Sequence, residues 1–170
     1  NGGRPNYTYR WWCSCGSCGL SSNAVQDPFV NRLAFAPQVI QKFGQAVDAT
    51  GYRSNIDTVN VTIHPKPKVD AGRDTVMCEG GIGVVLDGKV ASNNRAIGPF
   101  TYQWTDDQGN FPPNGMVPPN DKRPDPYTAP DQTTLYTLVI TDIATGCDSR
   151  LTTVDPNSTV EVRVTPRPIA

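Results

Sequence analysis

Thr133-Thr134-Leu135-Tyr136-Thr137-Leu138-Val139-Ile140-Thr141 alternates along its whole length. Tyr136, Leu138 and Ile140 fall on one side, and the residues between them fall on the other. A period of two is that of a β-strand with one buried face. Upstream, Phe100-Thr101-Tyr102-Gln103-Trp104 shows the same period, with Phe100, Tyr102 and Trp104 on one face. Downstream, Val160-Glu161-Val162-Arg163-Val164 sets three valines towards a core and two charges towards water. Val84-Val85-Leu86 is a further short strand, ended by the turn pair Asp87-Gly88. Residues 106–126 are rich in Pro, Asn, Asp and Gly and read as a long loop.

Composition points the same way. The 170 residues include 17 Val, 17 Thr and 8 Ile but only 6 Leu. β-branched side chains favour strands over helices. Gly (15) and Pro (16) are enriched, and charged residues make up only 18%. The net charge of −1 gives no electrostatic footprint for nucleic acid. No apolar run approaches the ~20 residues of a membrane span, and no secretory leader is visible. The chain has no initiating Met, so it reads as a mature or excised piece of something longer.

The strands recur. Tyr7-Thr8-Tyr9-Arg10-Trp11 matches Phe100-Thr101-Tyr102-Gln103-Trp104, and Phe35-Ala36-Pro37 matches Thr128-Ala129-Pro130. Val47-Asp48-Ala49-Thr50-Gly51-Tyr52 matches Thr141 to Cys147 with one gap, and Thr58 to Ile63 matches Thr159 to Val164. Pro65-Lys66-Pro67 and Pro166-Arg167-Pro168 close the two copies as semi-rigid spacers. Residues 1–67 are therefore an incomplete first repeat and residues 68–170 a complete second one. The first repeat lacks the counterpart of roughly residues 68–97, so its sheet should have an unpaired edge. The missing strands lie upstream in the full polypeptide, the favoured placement, or a neighbouring chain supplies one and so builds a filament. Short strands between turns, around an inward Trp, predict an all-β chain of tandem immunoglobulin-like β-sandwich domains.

The order Val69-Asp70-Ala71-Gly72-Arg73-Asp74, Cys78, Val85-Leu86-Asp87-Gly88, Phe100 to Trp104, Ala129-Pro130, Thr133 to Asp142 and Gly146-Cys147 resembles a known class. It is similar to the PKD-like and Ig-like repeats of very large surface adhesins of gliding Bacteroidota, substrates of the type 9 secretion system. The resemblance covers the second repeat and the matching part of the first. It implies a non-enzymatic, extracellular segment of an adhesin, stalk or filament at the bacterial cell surface. Its partners would be further repeats, neighbouring subunits or surface polysaccharide, with no cofactor. It also implies a disulfide between Cys78 and Cys147, which stand 69 positions apart. In the chain-entropy model, closing such a loop is worth ~4 kcal/mol. The alternative is a spacer or carbohydrate-binding accessory module of a secreted hydrolase.

Other chemistry is sparse. Cys13, Cys15 and Cys18 follow Trp11-Trp12 and are expected to enter disulfides, locally or with a thiol elsewhere. A zinc site would need His64, the single His, as a fourth ligand. Val59, Val61 and Ile63 are expected to point inward, which turns His64 outward, away from any such cluster. Cys15-Gly16-Ser17-Cys18 is similar to a papain-type nucleophile motif, but Gly19 follows it and His64 lies only 46 residues on. A Ser-His-acid triad faces the same single His. Asp106 and Asp107, in Asp106-Asp107-Gln108-Gly109-Asn110, are a weak calcium candidate without EF-hand spacing. Trp11 and Trp104 sit at inward strand positions. Trp12 points the other way and is the candidate for a surface sugar contact.

Overall fold

A computed structural model describes residues 3–14, 19–31, 38–150 and 156–167. The chain is all-β and divides into two compact units, residues 1–65 and 66–170.

The first unit is one antiparallel sheet of β1 (Thr8–Cys13), β2 (Gln38–Val47) and β3 (Asp57–Ile63), with β2 in the centre. Trp11 stands opposite Gly44, and Lys42 opposite Val59. The missing Cβ of Gly44 makes room for the Trp11 ring, which lies 3.0 Å from where that carbon would be. The loop after β1 returns over this strand. Asn23 takes a hydrogen bond from the Trp11 amide, and the Val25 carbonyl takes one from its indole at 3.0 Å.

The second unit carries a complete sandwich. Its main sheet runs in the order β5 (Thr75–Cys78), β11 (Thr159–Thr165), β10 (Thr134–Asp142), β8 (Phe100–Asp106). β5 is parallel to β11, and the other pairings are antiparallel. A second layer is made of two short ladders. One pairs β4 (Val69–Asp70) with β7 (Lys89–Val90), and the other pairs β6 (Val84–Val85) with β9 (Tyr127–Thr128). Between the layers lie Trp104, Tyr136, Leu138, Ile140, Val160 and Val162 from the sheet, with Val69, Ala71 and Leu86 facing them. Gly88 marks how close the layers come, because a Cβ there would sit 2.4 Å from the Trp104 ring and 2.7 Å from Leu138. The loop of residues 107–126 folds back on β8, and its Arg123 carbonyl accepts the Trp104 indole N–H at 2.8 Å.

The pairings of the first unit recur in the second, residue for residue. Trp11 opposite Gly44 corresponds to Trp104 opposite Leu138, and each partner lies four positions before a turn aspartate, Asp48 or Asp142. Lys42 opposite Val59 corresponds to Tyr136 opposite Val160, and Ile40 opposite Val61 to Thr134 opposite Val162. β1, β2 and β3 are thus the structural counterparts of β8, β10 and β11.

Two expectations need correction. The Cys78–Cys147 bridge is not formed; both thiols are free. Cys78 sits beside Thr165, beyond the Thr134 end of β10, while the Cys147 carbonyl accepts the Asp142 amide at the other end. The nine residues of β10 between those ends span about 30 Å. A disulfide requires Cα atoms within roughly 7 Å. Second, Val59 lies on the sheet face expected to be inward, yet it is 47% exposed. No described strand of the first unit forms a second layer over that place. His64 is exposed, as expected from the alternation.

Candidate functional site

Polar side chains of the second unit gather at one end of its sheet. Asp106 ends β8, and the chain then turns through Asp107, Gln108 and Asn110 to Asn114. With Asp131, these residues border a cavity of about 290 Å³. Asp106 is almost fully buried, and its carboxylate is the anchor of the turn. Oδ1 accepts the backbone N–H groups of Gln108 (3.1 Å) and Asn110 (2.8 Å). Oδ2 accepts the side-chain amide of Asn110 (2.9 Å) and the backbone N–H of Asn114 (3.0 Å). Burial alone would raise the Asp106 pKa, but the donors from Asn114, Asn110 and Gln108 outweigh it and hold the group below its ordinary value. Four donors fill the lone-pair sites of one carboxylate, so a calcium ion here would have to displace them. Asp107 is exposed beside it. Among the described residues, no group of three or more His, Cys, Asp or Glu side chains is placed to hold a metal.

The same cavity wall is braced from beneath. The buried Tyr136 hydroxyl donates to the Asn114 carbonyl at 2.5 Å and lies 2.7 Å from the Thr128 hydroxyl. Burial is the main reason its pKa is raised. Asp121, in a short 3-10 helix of the same loop, is buried and its Oδ1 has no hydrogen-bond partner.

Asp142 and Asp48 play one role in the two units. Asp142 is buried and accepts the amides of Gly98, Ala144 and Thr145. Asp48 accepts the amides of Thr50 and Tyr52 and the Thr50 hydroxyl. The hydroxyl of Thr50 is the leading cause of the lowered Asp48 pKa. In each turn the Asp amide bonds the carbonyl of the residue after a positive-φ glycine, Gly51 before Tyr52 and Gly146 before Cys147. Sequence matching paired these segments without revealing the carboxylate's task. The signal was present as an Asp followed three or four residues later by Gly, which is turn chemistry.

Trp12 lies on the sheet face opposite Trp11 and is partly buried. The Phe43 ring stacks on it at 5.7 Å between centroids, and the Arg10 guanidinium lies 5.9 Å from its centroid. The three side chains form a small, partly buried ladder of the aromatic and cation–π kind. Cys13 is disulfide-bonded, whereas Cys15 and Cys18 lie outside the described residues. The structure therefore gathers the polar candidates into turns, and among the described residues it brings neither His64 nor the acidic side chains together with Cys13, Cys78 or Cys147 as a metal site.

No family model matches the chain, and no curated protein matches it. Among solved structures, the human desmocollin-1 ectodomain is similar over 94% of this chain and 33% of its own length, at 10% identity and a TM-score of 0.37. The zebrafish RET cadherin-like domains 1 to 4 are similar over 98% of this chain and 42% of theirs, at 12% identity and a TM-score of 0.25. The chain thus spans about a third to two-fifths of the structures it is compared with.

Proposed function

We propose that this chain is a non-catalytic, load-bearing segment of a long repetitive extracellular protein, an adhesin, stalk or filament at a bacterial cell surface. The observation that supports this reading is the duplicated construction. One three-strand register, one Trp-to-carbonyl bond and one Asp-centred turn occur in both units. Chains that repeat one unit gain length and surface with each added copy. The best-bonded carboxylates, Asp48, Asp106 and Asp142, hold the backbone of their own turns. Proline-spaced junctions limit bending between units. The resemblance to gliding-motility adhesins adds type 9 export, further repeats or neighbouring subunits as partners, and surface polysaccharide as a ligand for the Trp12 ladder.

The test is the native size and place of the polypeptide. An antibody against these 170 residues should detect a species several-fold larger than this chain in the cells that make it. Protease added to intact cells should remove the signal. A native band of this chain's own mass, or one shielded inside the cell, overturns the reading. Co-purification of the epitope with glycoside hydrolase activity on one polypeptide replaces it with the accessory-module alternative.

A further inference from the structure

The cavity beside Asp106 has two walls, the turn after β8 and the segment that leads into β10. Both are held from within. Asp106 fixes the turn through its four hydrogen bonds. The Tyr136 hydroxyl holds the Asn114 carbonyl, and the Thr134 hydroxyl donates to the Gln132 carbonyl at 2.9 Å. The Asn114 side-chain amide donates to Asp131 Oδ1 at 2.9 Å, which sets that carboxylate and leaves its Oδ2 unbonded.

The groups left for a ligand are polar. Asp107, Gln108 and Gln132 line the cavity, and among the described residues their side chains bond to no protein group. They offer carboxylate acceptors and amides that both donate and accept. Pro112 adds an apolar ring to the lining. A few polar groups fixed on a rigid frame are what orient a bound small molecule. The volume of about 290 Å³ is at the lower end of such sites, roughly 300–1,000 Å³, so it suits one ring and not several.

The lining also selects by charge. It has no Lys, Arg or His, so Asp107 and Asp131 repel phosphate and carboxylate ligands. Among the described residues, the acidic side chains are not grouped to hold a metal. An organic cation meets only the exposed carboxylates of Asp107 and Asp131, and ion pairs in water are weak. The buried carboxylate, Asp106, is already filled by N–H donors. A neutral polyhydroxyl compound uses every group, because its hydroxyls donate to the carboxylates and accept from the amides.

We propose that this cavity binds one neutral sugar residue. Its hydroxyls lie between the Asp107 and Asp131 carboxylates and the Gln108 and Gln132 amides, with a C–H face on Pro112. The site lies wholly in the second unit and is independent of the Trp12 ladder, so it stands whether the chain serves as stalk or spacer.

The test is amide chemical-shift mapping on the full chain with the methyl glycosides of glucose, galactose, mannose and xylose, added one at a time. At least one should give saturable shifts at Gln108, Asn110, Asn114 and Gln132. Asp107→Ala combined with Gln132→Ala should raise its Kd at least tenfold. Both side chains are exposed and unbonded, so the remaining amides should keep their positions, which verifies the fold. No saturable shift with any of the glycosides, an unchanged Kd in the double variant, or shifts confined to Arg10–Cys13 and Phe43 overturns the proposal. So does agmatine moving the same amides when no glycoside does, which makes the ligand an organic cation. Loss of binding in EDTA also overturns it, since a metal then bridges sugar and carboxylates. None of these results alters the native size or surface exposure of the polypeptide, so the two readings fail separately.

Discussion

Val160 and Val59 occupy one position in one register, each opposite the same residue of its central strand. Val160 is 1% exposed and Val59 is 47% exposed. Side-chain alternation is equal in the two, so it does not account for the difference. The surroundings do. In residues 66–170 the short ladders that include β4 and β6 cover the sheet and β5 flanks β11; in residues 1–65 β3 pairs, among the described residues, with β2 alone, while Ile40 and Lys42 on the same face of the central strand are buried. The comparison separates two steps that a strand pattern alone merges. Alternation sets which side chains share a face, and the neighbouring strands and layers decide which of them leave water.

Substitutions at matched positions can break or sharpen this contrast. The largest expected effect is at the tryptophans. Trp104 is fully buried, so Trp104→Ala should cost ~3–5 kcal/mol, read from denaturant melts of the full chain. Trp11→Ala should cost less than half as much, since Trp11 is only partly buried. Equal losses would mean that the first unit has a core as dry as the second. Next come the glycines. At Gly88→Ala the new methyl would lie 2.4 Å from the Trp104 ring, and such overpacking costs ~1–3 kcal/mol. Gly44→Ala meets the Trp11 ring at 3.0 Å, and that less confined ring can shift, so the loss should be smaller.

Val160→Ala should cost ~2 kcal/mol and Val59→Ala under ~0.5 kcal/mol, following the area each withdraws from water. Acid melts probe the turns. The Asp106 pKa is lowered in the folded chain, so its contribution is complete above the unfolded value of ~3.9. It is lost as pH falls through the folded value. Asp106→Asn should flatten that acid limb, and Asp48→Asn, at an exposed turn, should flatten it less. The smallest effect belongs to the cysteines. Cys78→Ser and Cys147→Ser should each leave the melting midpoint unchanged, and both thiols should alkylate without prior reduction. Failure to alkylate would restore the bridge.

Much of the sandwich was legible in the sequence where alternation is long. Tyr136, Leu138 and Ile140 read as one face and are all buried, as are Val160 and Val162. The loop after Asp106 was legible from its Pro, Asn and Gly content. β5 was not, because four residues with Val76 outward and Met77 inward give too short a period. Its parallel partner, moreover, lies more than eighty residues away. Cys78 and Cys147 misled because separation in sequence carries no information about which end of a sheet each residue reaches. The Asp106 cluster was visible as oxygen-rich, but its hydrogen bonds depend on how the loop closes over Tyr136, which no spacing rule encodes.

The parallel seating of β5 on β11 has a mechanical consequence. One strand enters the second unit near its start and the other leaves it at the end, and they lie side by side pointing the same way. Tension drawing the two ends apart along the strands therefore loads the whole ladder in shear, with its bonds resisting together. In the first unit β1 and β3 also point the same way, joined through the antiparallel β2, so the same pull shears its two ladders as well. Units built on either register therefore resist a pull along their strands through whole ladders at once rather than by unzipping one bond at a time.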